Sequence, residues 1–301
     1  MVATRRIDAA PALGAVAGTP AMSRAVFRHE AMATYFEITV AGHPEAYARQ
    51  AAGAAFRELD RLEGELSRFI ESSDIARANR LAFGEALTIG DDTLECLLLA
   101  AGLAESTQHA FDPAYGSARR PEHPESAPAF TLDPAAHVLT SRASRLHLDL
   151  GAVGKGYALD RLAEVLAEWG VDSAFLNSGG STALALDHPP SATGWTVGLG
   201  EGDARREFLL KGAALSGSGL AVKGAHLIDP RTGRPATRTL RAWAHAPDAA
   251  VADALSTAFF VMTDDEVAAF CAANAGIGAA LAQPGRPLQL HGTLRPPDRA
   301  N

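Results

Sequence analysis

The chain has 301 residues, a net charge of −8 and a hydrophobic fraction of 47%, enough for a substantial core in one large domain or two small ones. Its acidic balance, with an isoelectric point of about 5.7, and the want of a dense Lys/Arg run argue against a nucleic-acid-binding surface. No apolar run approaches the ~20 residues of a membrane span, and Cys96 and Cys271, each in an apolar helical stretch, read as buried free thiols.

Residues 1–25 are rich in Ala, Pro and Gly. Residues 9–17 are too weakly apolar, and too broken by Pro11 and Gly14, for a signal-peptide core, and the stretch has no cysteine for lipid attachment. It reads as a disordered tail on a cytoplasmic protein, ahead of one domain at 26–301. Residues 26–29 and 35–40 are the first expected strands, with Met32, Ala33 and Thr34 between them. Pro44 opens a long helix at a position that tolerates proline, with an apolar stripe through Tyr47, Ala48, Ala51, Ala55, Phe56, Leu59, Leu62 and Leu66. Ser72 or Ser73 caps a shorter helix through Leu81. Residues 85–89 read as a strand, and Asp91 or Asp92 caps a helix to about Ser106. HAFDPAYG (109–116) is a turn with an acid and two aromatics, residues 119–128 a surface loop, and 130–132 with 137–141 a hairpin about Asp133 and Pro134.

The stretch 148–183 is the centre of the pattern. Residues 145–150 alternate apolar and polar side chains, the period of a half-buried strand. Gly151, Gly154 and Gly156 follow, with Lys155 among them, and a helix over 157–169 stops at Gly170. A strand at 173–176 runs into the turn Asn177–Gly180. Strand, glycine turn, helix, strand is the plan of a nucleotide-handling unit, because glycines admit a ligand to the backbone and helix N-termini favour phosphate. Neither phosphate-loop fingerprint matches: Asp149 stands at the first glycine of a Walker loop and Leu159 at the third of GxGxxG. A tight strand-to-helix turn is the alternative. Beyond it, 195–199 and 207–210 read as antiparallel strands, 214–219 as a Gly–Ser turn, 241–245 as a strand, 251–262 as an apolar helix, and 286–301 as a strand and a loose end. Long helices among antiparallel strands indicate an α+β fold with helices packed outside sheets.

Asp253 and Thr257 lie four apart on the apolar helix, so both oxygens leave one face. A carboxylate and a hydroxyl suit a hard cation such as Mg²⁺; a helix N-cap at Asp253 is the other reading. His226 is placed to touch a phosphate or carry a proton, or to be a structural residue at a strand end. Asp112 and Asp149 fit turn-capping as well as ligand binding, and Lys155 is a phosphate ligand or a solvated lysine.

Together, MATYFEI (32–38), LSRFIESSDIARAN (66–79), HAFDPAYG (109–116), LDLGAVGKGYALD (148–160), NSGG (177–180), HLIDPRTGRP (226–235) and ADALSTAFFVM (252–262) resemble the FAD:protein FMN transferase family, the ApbE-type flavin transferases, over residues 26–285. The resemblance implies a T-fold-like α+β domain that takes FAD with Mg²⁺, or Mn²⁺ in its place. Such an enzyme attaches FMN through its phosphate to a Thr or Ser of a flavin-carrying redox subunit and releases AMP. The implied acceptor segment is of the type Asp-(Ser/Thr)-Gly-Ala-(Ser/Thr). It further implies FAD contacts at Met32, Phe69, Ala110, Phe111, Asp112, Asp149, Lys155 and Ile228. The implied metal ligands are Asp253, Thr257 and the Ala152 carbonyl, with His226 and Asp253 the catalytic candidates. Ala33 and His109 stand where glycines are usual, Ser181 and Thr182 replace an acid or amide and an aliphatic, and the connection from Gly116 to Phe130 is short. The expected activity is Mg²⁺-dependent protein flavinylation; an FAD pyrophosphatase and a non-catalytic flavin-binding protein are the alternatives.

Overall fold

The structure, a computed structural model, describes residues 24–118, 128–189, 192–199, 206–219 and 228–294. The expected tail, as far as residue 23, and His226 lie outside them. In chain order, β1 (Arg24–Ala31) and β2 (Thr34–Ala41) precede α1 (Glu45–Leu66), α2 (Asp74–Ala78), β3 (Ala86–Thr88) and α3 (Asp91–Ser106). Next come β4 (Phe130–Asp133), β5 (Val138–Ser141), α4 (Gly154–Glu168), β6 (Ala174–Ser178), β7 (Thr182–Ala185), β8 (Trp195–Leu199), β9 (Arg206–Leu210) and β10 (Ala213–Gly219). The chain closes with β11 (Ile228–Asp229), β12 (Arg234–Pro235), β13 (Arg241–Ala246), α5 (Ala249–Val261), α6 (Asp264–Ala273), β14 (Gly278–Ala282) and β15 (Gln289–Gly292).

Eight strands form the main sheet in the order β1-β2-β6-β7-β10-β13-β14-β15, every neighbouring pair antiparallel. Alternation along each strand sends apolar residues to both faces. On one face the core lies under α1, α4 and α5, where Phe36, Ile38, Leu59, Leu62, Leu159 and Phe259 are fully buried. Six of the residues of the stripe expected on α1, Ala48, Ala51, Ala55, Leu59, Leu62 and Leu66, form that buried face, while Tyr47 is exposed and Phe56 half-buried; Pro44 stands at the N-cap. On the other face Trp195, Val197, Leu199 and Leu210 of the β8–β9 hairpin cover Leu215 and Trp243. A separate small sheet, β3-β5-β4, contains the expected hairpin. Cys96 and Cys271 are buried free thiols, and among the described residues no helix is long and apolar enough to cross a membrane.

Four expectations need correction. Residues 145–150 bury Leu146, Leu148 and Leu150 in alternation but form no strand. Their main chain is held instead by the Asn79 amide, which donates to the Leu148 carbonyl at 2.9 Å and accepts its N–H at 2.6 Å. The Asp149 N–H donates to the Pro113 carbonyl. Residues 214–219 are not a turn but most of β10. Its serines and glycines alternate between faces, and Trp243, directly across from Gly217, covers the place a side chain would take: a Cβ there would lie 2.8 Å from the indole. Neither Asp91 nor Asp92 caps α3. Gly90 does, its N–H donating to Asp74 at 2.7 Å, while Asp92 accepts from Arg61 and from the Tyr157 hydroxyl. Burial opposes the charge on Asp92, yet those donors hold its carboxyl below the usual range. The short helix α2, capped by Ser73, ends at Ala78 rather than Leu81.

Candidate functional site

The site begins where α4 crosses α5. A Cβ at Gly156 would stand 2.2 Å from the Ala249 carbonyl oxygen and 2.7 Å from the Ala250 Cα, so a residue without a side chain sets how closely the helices approach. Asp160, one turn on, accepts the N–H groups of Ala249 and Ala250, both at 2.8 Å. Burial pushes its carboxyl up to about 7, against the pull of those two donors. The crossing brings Lys155 and Gly156 onto Asp253. Asp248 is the N-cap of α5, so Asp253 is interior to the helix and the capping alternative falls away.

Asp253 is 3% exposed and its oxygens are surrounded by donors. Lys155 Nζ lies 3.1 Å from Oδ2, and the Gly156 N–H donates to the same oxygen at 3.3 Å. The Thr182 and Ser216 hydroxyls each donate to Oδ1 at 3.3 Å. Ser218 continues the cluster, 2.9 Å from Ser256 and 3.2 Å from Thr257. Sequence reasoning named Asp253, Thr257 and Lys155 but missed Ser216, Ser218 and Ser256. The signal was there: serines two apart in a strand share a face, which the reading of that segment as a turn concealed.

Two clefts meet at this centre. The first, about 260 Å³, is lined by Ala110, Phe111, Asp112, Tyr115, Asp149, Ala152, Ile228, Pro230 and Thr257; the second, about 240 Å³, by Met32, Ala33, Thr34, Lys155, Ser181 and Asp253 with several glycines. Gly151 lines both. Asp253 and Thr257, one helical turn apart, thus form a ridge with one cleft on each side. The structure brings together all but two of the residues singled out in the sequence. His226 lies outside the described residues. Phe69 lines neither cleft; it is 75% exposed, with the Arg68 guanidinium 4.3 Å above its ring and Arg68 3.4 Å from Asp149 at the rim of the first cleft. Local hydrogen bonds fix the acids: Asp112 accepts the Ala114 N–H and Asp149 the Gly151 N–H, both at 2.8 Å. Arg231 pairs with Asp229 and, at 2.8 Å, with Glu266 of α6, tying the β11–β12 wall to the body.

The donors around the ridge are carboxylate, hydroxyl and carbonyl oxygens, the set a hard divalent cation takes rather than a thiolate- or imidazole-seeking metal. The Lys155 ammonium, 2.7 Å from the Gly151 carbonyl and 3.1 Å from Asp253, already places one positive charge between two such oxygens. A small cation fits these residues.

Fold and ridge together define an α+β protein with an acid–lysine–hydroxyl centre between two clefts. The ApbE family model matches residues 32–281, and the chain belongs to the ApbE family, a family of enzymes. It is 30% identical over 273 residues to the FAD:protein FMN transferase of Rhodobacter capsulatus, covering 77% of this chain and 50% of that protein. To a protein of the same name from Klebsiella pneumoniae (strain 342) it is 24% identical over 281 residues, covering 81% and 80%. The chain therefore spans half the length of the first relative and most of the second. Among solved structures, the flavin transferase ApbE from Vibrio cholerae superposes with a TM-score of 0.78 at 20% identity, covering 90% of this chain and 97% of that one. The apbe protein from Thermotoga maritima gives 0.76 at 25%, covering 90% and 98%. The fold is shared along nearly the whole of both.

Proposed function

We propose that the protein is a Mg²⁺-dependent FAD:protein FMN transferase, moving FMN from FAD to a Ser or Thr hydroxyl of a partner protein and releasing AMP. The observation that carries this reading is the buried Asp253–Lys155 centre, with Thr257 beside it, on a ridge between two clefts in a chain of the ApbE family. The adenine half of FAD belongs in the first cleft, against Phe111, Asp112 and Ile228. Its pyrophosphate crosses Gly151, where Lys155 neutralises phosphate charge. The flavin end reaches out past Phe69 and touches Met32 only at the outer mouth of the second cleft, away from its Ser181 floor. Asp253, Thr257 and the Ala152 carbonyl would hold Mg²⁺, which when bound supplies charge neutralisation for the pyrophosphate and the departing AMP. In the transfer, the acceptor oxygen bonds the FMN phosphorus as the bridging P–O bond breaks, and AMP takes that electron pair. The hydroxyl proton leaves through His226, the proposed carrier. Positioning and electrostatics provide most of the rate. The test is AMP formation from FAD with Mg²⁺, with EDTA and with Mn²⁺: activity in the metal-containing reactions and none in EDTA is expected, and undiminished activity in EDTA contradicts the metal assignment.

Phe69 separates a ligand contact from a core residue. Because its ring is 75% exposed, its removal should not open a cavity. Phe69→Ala should raise the Kd for FAD by roughly tenfold, as loss of an aromatic contact worth ~0.5–1.5 kcal/mol implies, with the Tm of the ligand-free protein unchanged. Titration of FAD fluorescence and a thermal melt decide it; a lower Tm with unaltered affinity contradicts the assignment.

A further inference from the structure

We infer that the second cleft is the entry of the acceptor: an extended segment of small residues, presenting its Ser or Thr hydroxyl to the ridge from the end of the main sheet. The inference rests on the transferase reading above and adds which side the acceptor comes from and what shape it has.

The sheet is notched at this end. The β1–β2 hairpin reaches out to Met32 and Ala33, and β10 runs to Gly219, but the two strands between them stop early. The β6–β7 hairpin turns at Gly179 and Gly180, and its ladder with β10 ends at Thr182 opposite Ser216. Strands in a sheet lie about 4.8 Å apart; the β6–β7 turn closes on β2 through Gly179 and on β10 through Ser181, so the room for an extended chain lies beyond that turn, between the tip of the β1–β2 hairpin and Ser218–Gly219. Gly217, Ser218 and Gly219 form one wall, Thr34 the other, and Ser181 the base, with Lys155 and Asp253 behind. Among the described residues no aromatic side chain lines the notch, whereas the first cleft has Phe111 and Tyr115. Walls of this kind offer main chain and small polar groups to a peptide, and little to a ring system.

The direction of the chemistry points the same way. In-line displacement at phosphorus requires the nucleophile opposite the leaving group. With AMP held on the Thr257 side of the ridge, the nucleophile must arrive from the Asp253 side, which is the notch. There the acceptor oxygen forms its bond to the FMN phosphorus, the bridging P–O bond to AMP breaks, and the hydroxyl proton leaves by the carrier proposed above.

Blocking the notch after folding tests this. Ser181→Cys is made and modified either with methyl methanethiosulfonate, which adds little bulk, or with a benzophenone maleimide. Wild-type protein, whose Cys96 and Cys271 are buried, is the control for the reagents. The probes are FAD, Mg²⁺ and a synthetic peptide containing Asp-Ser-Gly-Ala-Thr. The bulky adduct should lower flavin transfer to the peptide at least about tenfold while FAD affinity stays at the level of the small adduct. Thr34→Cys, on the opposite wall, provides a second site should Ser181→Cys not fold. Transfer at the unmodified rate with either bulky adduct overturns the inference. A parallel loss of FAD affinity overturns it too, because the notch would then hold FAD. Wild-type protein that yields FMN and AMP in equal amounts with no labelled peptide overturns transfer itself, and the acceptor route with it.

Discussion

Replacing Asp253 with alanine should abolish metal-dependent AMP release from FAD, lowering the rate by on the order of 10³-fold or more, about 4 kcal/mol of transition-state stabilisation. The carboxylate is the common acceptor of Lys155, Gly156, Thr182 and Ser216, so alanine would also strip those donors of their partner and cost stability. Asp253→Asn separates the two effects. The amide keeps the volume and an oxygen for the hydroxyls but removes the charge that a cation and Lys155 require. Its Tm should fall less than that of the alanine variant, while its AMP release stays severely reduced. An asparagine variant that melts like wild type and turns over FAD at a similar rate would remove Asp253 from the reaction.

Gly156→Ala should be among the most damaging single-methyl additions in the chain. The new Cβ would meet backbone, the Ala249 carbonyl oxygen at 2.2 Å, and backbone cannot rotate away. Overpacking of this kind costs about 1–3 kcal/mol, and here it would also pull the Gly156 N–H and Lys155 off Asp253. Both Tm and AMP release should drop. Gly64→Ala is the control: Gly64 lies within α1 and a Cβ there meets nothing within 4 Å, so alanine should stabilise by about 0.5–1 kcal/mol. Thermal melts of the two variants side by side, with opposite shifts, check the helix-crossing account. Equal shifts would mean that α4 and α5 do not depend on Gly156 for their approach.

What the sequence discloses follows the strength of its periodicities. The α1 stripe, the β1–β2 and β4–β5 hairpins and α5 are each written in a repeat of apolar residues or a turn signal, and all form. Asp253 and Thr257 were legible because two polar residues one turn apart interrupt an apolar helix. The spacing of the hydroxyls around them was present but concealed. Ser216 and Ser218 sit among glycines that are turn-forming in isolation, and it is pairing with β7 on one side and β13 on the other, with Trp243 opposite Gly217, that makes the stretch a strand. Helix α6 and strand β14 carried no assignment, although Thr263 and Glu266 form a capping box whose spacing marks a helix start. At two positions where the resemblance implies glycine, Ala33 (φ 58°) and His109 (φ 60°) both occupy left-handed backbone, which costs a side-chain-bearing residue about 1–2 kcal/mol. One borders the second cleft, and the other precedes Ala110 and Phe111 of the first.

The most direct measurement is a balance sheet of products. The protein is incubated with FAD, Mg²⁺ and a redox subunit carrying an exposed Asp-(Ser/Thr)-Gly-Ala-(Ser/Thr) segment, and AMP, free FMN and protein-bound flavin are quantified together. The account predicts AMP and covalently bound flavin in equal amounts, with the fluorescent band on the acceptor and free FMN a minor product. Free FMN equal to AMP with no flavin on protein would make the enzyme a pyrophosphatase, and FAD recovered intact would make it a binding protein; either contradicts the account.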